Sequence, residues 1–229
     1  MKSEDLQALI LHKELNKLNK KLFKTQEKWE RFKNSIVGAF IKDEIRELKE
    51  QIAWMLLDLG EYKKALAMYK SMSWTTQGET KYLGIARALT ETGHFNEARL
   101  FFEKGLKRFP KSMSLLVGLG NWYHALADYT NSLKYFKKAL KYEPDNKFLL
   151  FNKGAALFGL GNYEDASIIF QELVEKHPDE IRFLIMMGYC HLQTGYSEDA
   201  ARHFKDVFDK GYFEPEGYNG LTSHTWIWG

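Results

Sequence analysis

Residues 129–144 read YTNSLKYFKKALKYEP, and two further stretches, FNEARLFFEKGLKRFP at 95–110 and YEDASIIFQELVEKHP at 163–178, align with them position for position. An aromatic residue opens each stretch, a small residue follows three places later, then a phenylalanine, and a proline closes it. Phe102, Phe136, Phe170 and Phe204 stand 34 residues apart, as do Pro110, Pro144 and Pro178. A fixed period of this length marks one supersecondary unit used repeatedly, and it governs how every local motif is read. Upstream lie LLVGLGNWYHAL (115–126) and LLFNKGAALFGL (149–160), with short turns TGH, LAD, LGN or TGY before the quoted stretches. Each unit is therefore read as two helices joined by a turn.

Composition agrees with an all-helical chain. Of 229 residues 45% are hydrophobic and 28% charged, enough apolar material to fold, and only four are proline. Leu, Ala, Lys and Glu recur, and no alternating Val/Ile/Thr run marks a strand. The one cysteine, Cys190, leaves no internal disulfide, and no Asn-x-Ser/Thr site is present, which suits a reducing, cytoplasmic setting. The start, MKSEDLQALILHKEL, carries acids where a secretory leader needs bases. No apolar run is long enough to read as a transmembrane helix. The net charge of +3 makes no strong nucleic-acid signal.

The 34-residue pattern resembles the tetratricopeptide repeat family, in which Leu-Gly and Tyr mark the first helix of a unit and Ala, Phe, Ala and Pro the second. Residues 113–146 carry it most fully, with Leu116, Leu119, Gly120, Tyr123, Ser132, Phe136, Ala139 and Pro144. Residues 147–180 keep Leu150, Gly154, Ala166, Phe170 and Pro178, and residues 181–214 keep Leu184, Gly188, Ala200 and Phe204, with Tyr212 where proline is expected. Residues 79–112 supply Ala98, Phe102 and Pro110, and a weaker unit at 46–78 has Gly60, Tyr62, Ala65 and Tyr69. The resemblance implies a right-handed superhelical solenoid over residues 46–212, whose first helices line a concave groove. Units of this kind are stable only when stacked.

Residues 1–45 follow another rule. Ala8, Leu15, Leu22, Trp29 and Ile36 alternate with Leu11, Leu18, Thr25, Phe32 and Ala39 at heptad spacing, one apolar stripe along a long helix. Weak charge complementarity at the flanking positions favours packing on the first unit over a coiled coil. Gly38 is expected to break the chain before the repeats begin. At the other end, Pro215 falls where the next unit would start, so residues 215–229 read as a capping half-repeat with Trp226, Ile227 and Trp228 packed near Phe204 and Phe208.

No motif of phosphate binding, metalloprotease, thiol redox or serine hydrolase chemistry is present, so an enzyme, a cofactor and a metal site are not expected. His94, His124, His177, His191 and His203 are scattered, and no two share the four-residue spacing of a helical metal site. The resemblance instead points to the groove. By register its lining is Trp54, Leu83 and Arg87, then Val117, Asn121 and His124, then Phe148, Phe151, Asn152 and Phe158, then Arg182, Ile185, Tyr189 and Leu192. The carboxylate clamp of related heat-shock co-chaperones is incomplete, because Val117 and Met186 replace two of its basic residues. The expected function is a noncatalytic protein-interaction scaffold or chaperone-like adaptor holding an extended partner peptide, with Asn121 and Asn152 on its backbone and apolar side chains in aromatic pockets. The alternative is an assembly scaffold that forms homo-oligomers through its N-terminal helix or termini. A third reading has the basic N-terminal helix bind RNA or an anionic membrane surface.

Overall fold

A computed structural model describes residues 3–72 and 78–210, with side chains from residue 6 onward. Its described residues form eleven α-helices and no strand: α1 (Ser3–Phe32), α2 (Ile36–Asp58), α3 (Tyr62–Lys70), α4 (Glu79–Glu91), α5 (Phe95–Arg108), α6 (Met113–Ala125), α7 (Tyr129–Ala139), α8 (Lys147–Gly159), α9 (Tyr163–Lys176), α10 (Ile181–Gln193) and α11 (Ser197–Asp209). The chain is a helical repeat solenoid whose helices fall into two compact units, residues 1–110 and 111–229. In each, consecutive helices pair, and the first helices of neighbouring repeats also touch, α2 with α4 and α6 with α8 with α10.

The starts of four helices follow from side-chain capping. Ser35, Ser112, Asp128 and Asn146 turn their side-chain oxygens onto amides of the first turn of α2, α6, α7 and α8. Proline acts through its predecessor: Phe109 and His177 leave the helical region before Pro110 and Pro178, at ψ 70° and 65°, ending α5 and α9 at the previous residue. In residues 113–146 the second helix stops earlier, at Ala139, five residues before Pro144. The turn between paired helices requires a left-handed residue, supplied by Gly60, Gly93, Gly161 and Gly195 at φ 72° to 87°. Ala127 fills that place in the third turn at φ 57°, a conformation that is strained for any residue with a Cβ.

The repeat core is built on a glycine facing a ring. Phe136 and Phe170 are almost wholly buried. A Cβ placed on Gly120 would lie 2.7 Å from the Phe136 ring, one on Gly154 2.7 Å from Phe170, and one on Gly188 2.8 Å from Phe204. The residues are glycines because the partner helix leaves no room for anything else. Around Phe170 the core of residues 111–229 gathers Leu157, Ala166, Ile169, Leu173, Phe183 and Cys190.

Residues 1–45 depart from expectation at one point. The chain does not break at Gly38, and position 45 lies inside α2, which runs unbroken from Ile36. The break falls at Lys33–Ser35, where Ser35 caps α2 by accepting from the Gly38 amide at 3.3 Å. Gly38 is needed for closeness instead, since a Cβ there would collide with the Phe32 carbonyl. α1 packs along α2 through the apolar stripe, with Leu15, Leu22 and Thr25 buried. The expected cap at 215–229, and Tyr212, lie outside the described residues.

Gly154→Ala is expected to lower stability by about 1–3 kcal/mol, the usual cost of overpacking a filled core. Urea unfolding of variant and parent chains measures it.

Candidate functional site

Residues 111–229 bring eleven of the expected groove residues onto the adjacent helices α6, α8 and α10. Asn121 is buried on α6, and Asn152 on α8 reaches across to it, its Nδ2 donating to Asn121 Oδ1 at 3.4 Å. One turn before Asn152, Phe148 is 44% exposed, large and apolar in water. The Arg182 guanidinium from α10 lies over that ring at 5.0 Å and over Phe151 at 5.5 Å. Such stacking holds a planar cation flat while leaving its edge for a second partner. Arg182 Nε stands 3.3 Å from a Glu180 carboxylate oxygen, without the alignment of a hydrogen bond. Lys147 donates to the other Glu180 oxygen at 2.5 Å, and that hydrogen bond, more than the nearby Arg182 charge, holds the Glu180 carboxyl below the usual carboxylate range.

The other expected residues divide by burial. Phe151 packs edge-on against Phe170 at 5.7 Å and beside Phe183 at 5.6 Å. Phe158 and Met186 also lean on this core, and Phe158 meets Tyr163 edge-on at 5.1 Å. Phe151 and Phe158 are thus packing residues as much as surface ones. Val117 and Ile185 are half-buried on α6 and α10, Tyr189 meets Phe204 edge-on at 5.4 Å, and Leu192 is exposed at the end of α10. His124 is half-buried and packs edge-on against Tyr129 at 5.1 Å. Burial lowers its pKa, partly offset by a hydrogen bond to the Ala155 backbone.

Trp54, Leu83 and Arg87 belong to residues 1–110. Trp54 lines an open cleft of about 790 Å³ between α1 and α2, beside Leu11 and Leu18, with Glu14, Glu47, Glu50 and Asp58 making its rim acidic. Arg87 pairs with Asp58 at 3.2 Å, and Leu83 is half-buried on α4. Glu14 of this cleft escapes a repeat-register reading, because α1, which forms one wall, lies outside the 34-residue period.

Two groups were not singled out in the sequence as a pair. His191 and His203 are twelve residues apart, yet α10 and α11 bring their rings to 5.1 Å, and neither Nδ1 has a hydrogen-bond partner among the described residues. Burial first, and the neighbouring His191 next, lower the His203 pKa. Only the hairpin register reveals this pair. Cys190 is buried and its thiol is pushed up to about 12, so it is held as an uncharged packing group. Among the described residues no three His, Cys, Asp or Glu side chains gather as metal ligands, and no helix is long and apolar enough to cross a membrane.

Phe151→Ala is expected to destabilise by about 2–4 kcal/mol, because a ring is removed from the core, whereas Phe148→Ala stays within about 0.5 kcal/mol of the parent. Thermal or urea unfolding distinguishes them. His124 and His203 have folded pKa values below their ordinary 6.5, so each is neutral in both states above that value. As pH falls through about 6.5 the unfolded chain takes up protons first, and stability is lost on the acid side. The melting temperature should therefore fall between about pH 7 and 5, and His124→Gln should flatten that slope.

The sequence patterns of the tetratricopeptide repeat family match residues 83–147 and 123–188. No curated protein matches the chain in sequence. Among solved structures, MamA from Desulfovibrio magneticus RS-1, residues 41 to its end, is similar at 22% identity, with a TM-score of 0.63 over 71% of this chain and 93% of that one. MamA of AMB-1 gives 22% identity and a TM-score of 0.62 over 71% and 98%. A tetratricopeptide repeat protein from Parabacteroides merdae gives 20% identity and a TM-score of 0.65, covering 85% of this chain and 79% of that one. At these identities the likeness concerns the fold. Glycine opposite phenylalanine at Gly120, Gly154 and Gly188, paired helices and the matched patterns together make residues 83–188 tetratricopeptide repeats.

Proposed function

We propose that the face formed by α6, α8 and α10 holds an extended peptide segment of a partner protein, in an adaptor or chaperone-like role. Tetratricopeptide repeats are in general noncatalytic protein-interaction scaffolds. The observation that carries the reading is Phe148. An aromatic ring left 44% exposed, beneath a stacked Arg182 and one turn from Asn152, is a surface that a solvated helix does not need.

Each group has a distinct part. Phe148 offers an apolar contact for a side chain of the peptide. Asn152 spends one amide hydrogen on Asn121 and keeps its carbonyl oxygen for a backbone N–H of the peptide. Arg182 contributes its outer N–H groups to a peptide carbonyl or carboxylate, already oriented by the rings below it and by Glu180. Pre-ordering of this kind reduces the entropy lost on binding.

Selection of a displayed random-peptide library on the full chain, followed by fluorescence anisotropy of the enriched peptides, tests the proposal. Phe148→Ala and Asn152→Ala should each weaken binding about tenfold, a loss of roughly 1.4 kcal/mol, and Phe148→Ala should do so with unchanged melting. Enriched peptides that bind both variants as tightly as the parent would sink it.

A further inference from the structure

The strongest unused feature of residues 1–110 is the tip of the α1–α2 hairpin. α3 is short, and its end lies level with the middle of α2, where Lys49 Nζ reaches the Ser71 carbonyl at 3.5 Å. The first ten or so residues of α2, about 15 Å of helix, therefore extend past α3, with α1 the one described helix packed beside them. The Ser35 cap and the close approach of Gly38 to Phe32 make the turn compact rather than frayed.

At this tip the side chains that should be hidden are in water. Ile36 is 81% exposed and Phe40 72%, one turn apart on the same side of α2, and Val37 and Phe32 are exposed beside them. Within residues 20–42 there are seven Lys and Arg against two Glu. Glu30 is already paired with Lys33 at 2.9 Å. Lys24, Lys28, Arg31 and Lys42 are exposed and make no ion pair among the described residues.

We infer that the hairpin tip docks end-on into the surface of an anionic lipid bilayer. Its apolar residues enter the boundary between headgroups and acyl chains, which is reached at about 5–10 Å depth. Lys28 lies about 6 Å along α1 from Phe32 and Lys42 about 9 Å along α2 from Ile36, so their long stems place the ammonium groups at headgroup level. Charge decides against other occupants. A second copy of the tip would set like charges together, and nucleic acid would give Ile36, Val37 and Phe40 nothing to bury against. Neither helix spans the bilayer; the tip rests in its surface.

Cosedimentation of the full chain with phosphatidylcholine vesicles containing about one third phosphatidylserine, against phosphatidylcholine alone, tests this. The parent chain should bind the anionic vesicles, release them as salt rises, and bind the neutral ones weakly. The double variant I36D/F40D should lose roughly tenfold in vesicle partitioning with unaltered melting, because both side chains are exposed. Ile36→Ser with Phe40→Ser repeats the test without added charge. A parent chain that stays in the supernatant, or variants that bind as the parent does, overturns the inference. So does light scattering that shows a dimer lost in the variants, since a second copy would then cover the tip.

Discussion

Each first helix of residues 111–229 touches its partner through a glycine pressed on a phenylalanine ring, and most of the other features answer to that contact. The helices approach closely because Gly120, Gly154 and Gly188 lack a Cβ, and the ring of Phe136, Phe170 or Phe204 fills the space that a side chain would have taken. A ring so placed needs small neighbours on its own helix, which Ser132, Ala139 and Ala166 provide while wholly buried. The pairing fixes the crossing of two helices, and the crossing fixes which positions of the first helix remain on the outer face. Phe148, Asn152 and Arg182 are on that face because Gly154 and Leu149 are not.

Residues 1–110 solve the same packing problem differently. At the position one period before Gly120 stands Ala86, fully buried, and the close glycine is Gly84, which meets Tyr69 of the preceding helix pair. The contact has moved from within a repeat to between repeats. This explains why the period weakens toward the N-terminus even though the helices continue. The burial of Tyr69 follows, raising its pKa by desolvation and keeping the hydroxyl neutral.

The fold was largely legible in the sequence, because the glycine–ring contact imposes a spacing that survives in the letters. What was not legible depends on exposure. Phe148 and Phe151 are identical in type and adjacent in the expected groove, yet one stands in water and the other leans on Phe170 and Phe183. Three residues of helix are a rotation of nearly a full turn short by some sixty degrees, enough to carry a side chain from the face to the seam. Gly38 misled in a similar way. A glycine between helices reads as a break, but here it permits closeness, and the break is made by the serine cap three residues earlier. The His191–His203 pair was invisible because no local pattern encodes a contact between facing helices.

The same reasoning separates surfaces that are exposed by necessity from those that are not. Repeat solenoids cannot bury every apolar residue, and a half-exposed Leu160 or Phe95 at a helix end needs no partner. The α6–α8–α10 face and the α1–α2 tip differ from these in that polar or charged groups accompany their apolar ones. On the first, a stacked guanidinium and a bridged amide leave directional donors and acceptors, which suit the regular backbone of a peptide. On the second, lysines on flexible stems surround aliphatic and aromatic groups, giving charge without direction. Directional polarity recognises one chain in one register. Undirected charge around an apolar point suits a fluid surface, and one solenoid can carry both because its helices need only their neighbours to stand.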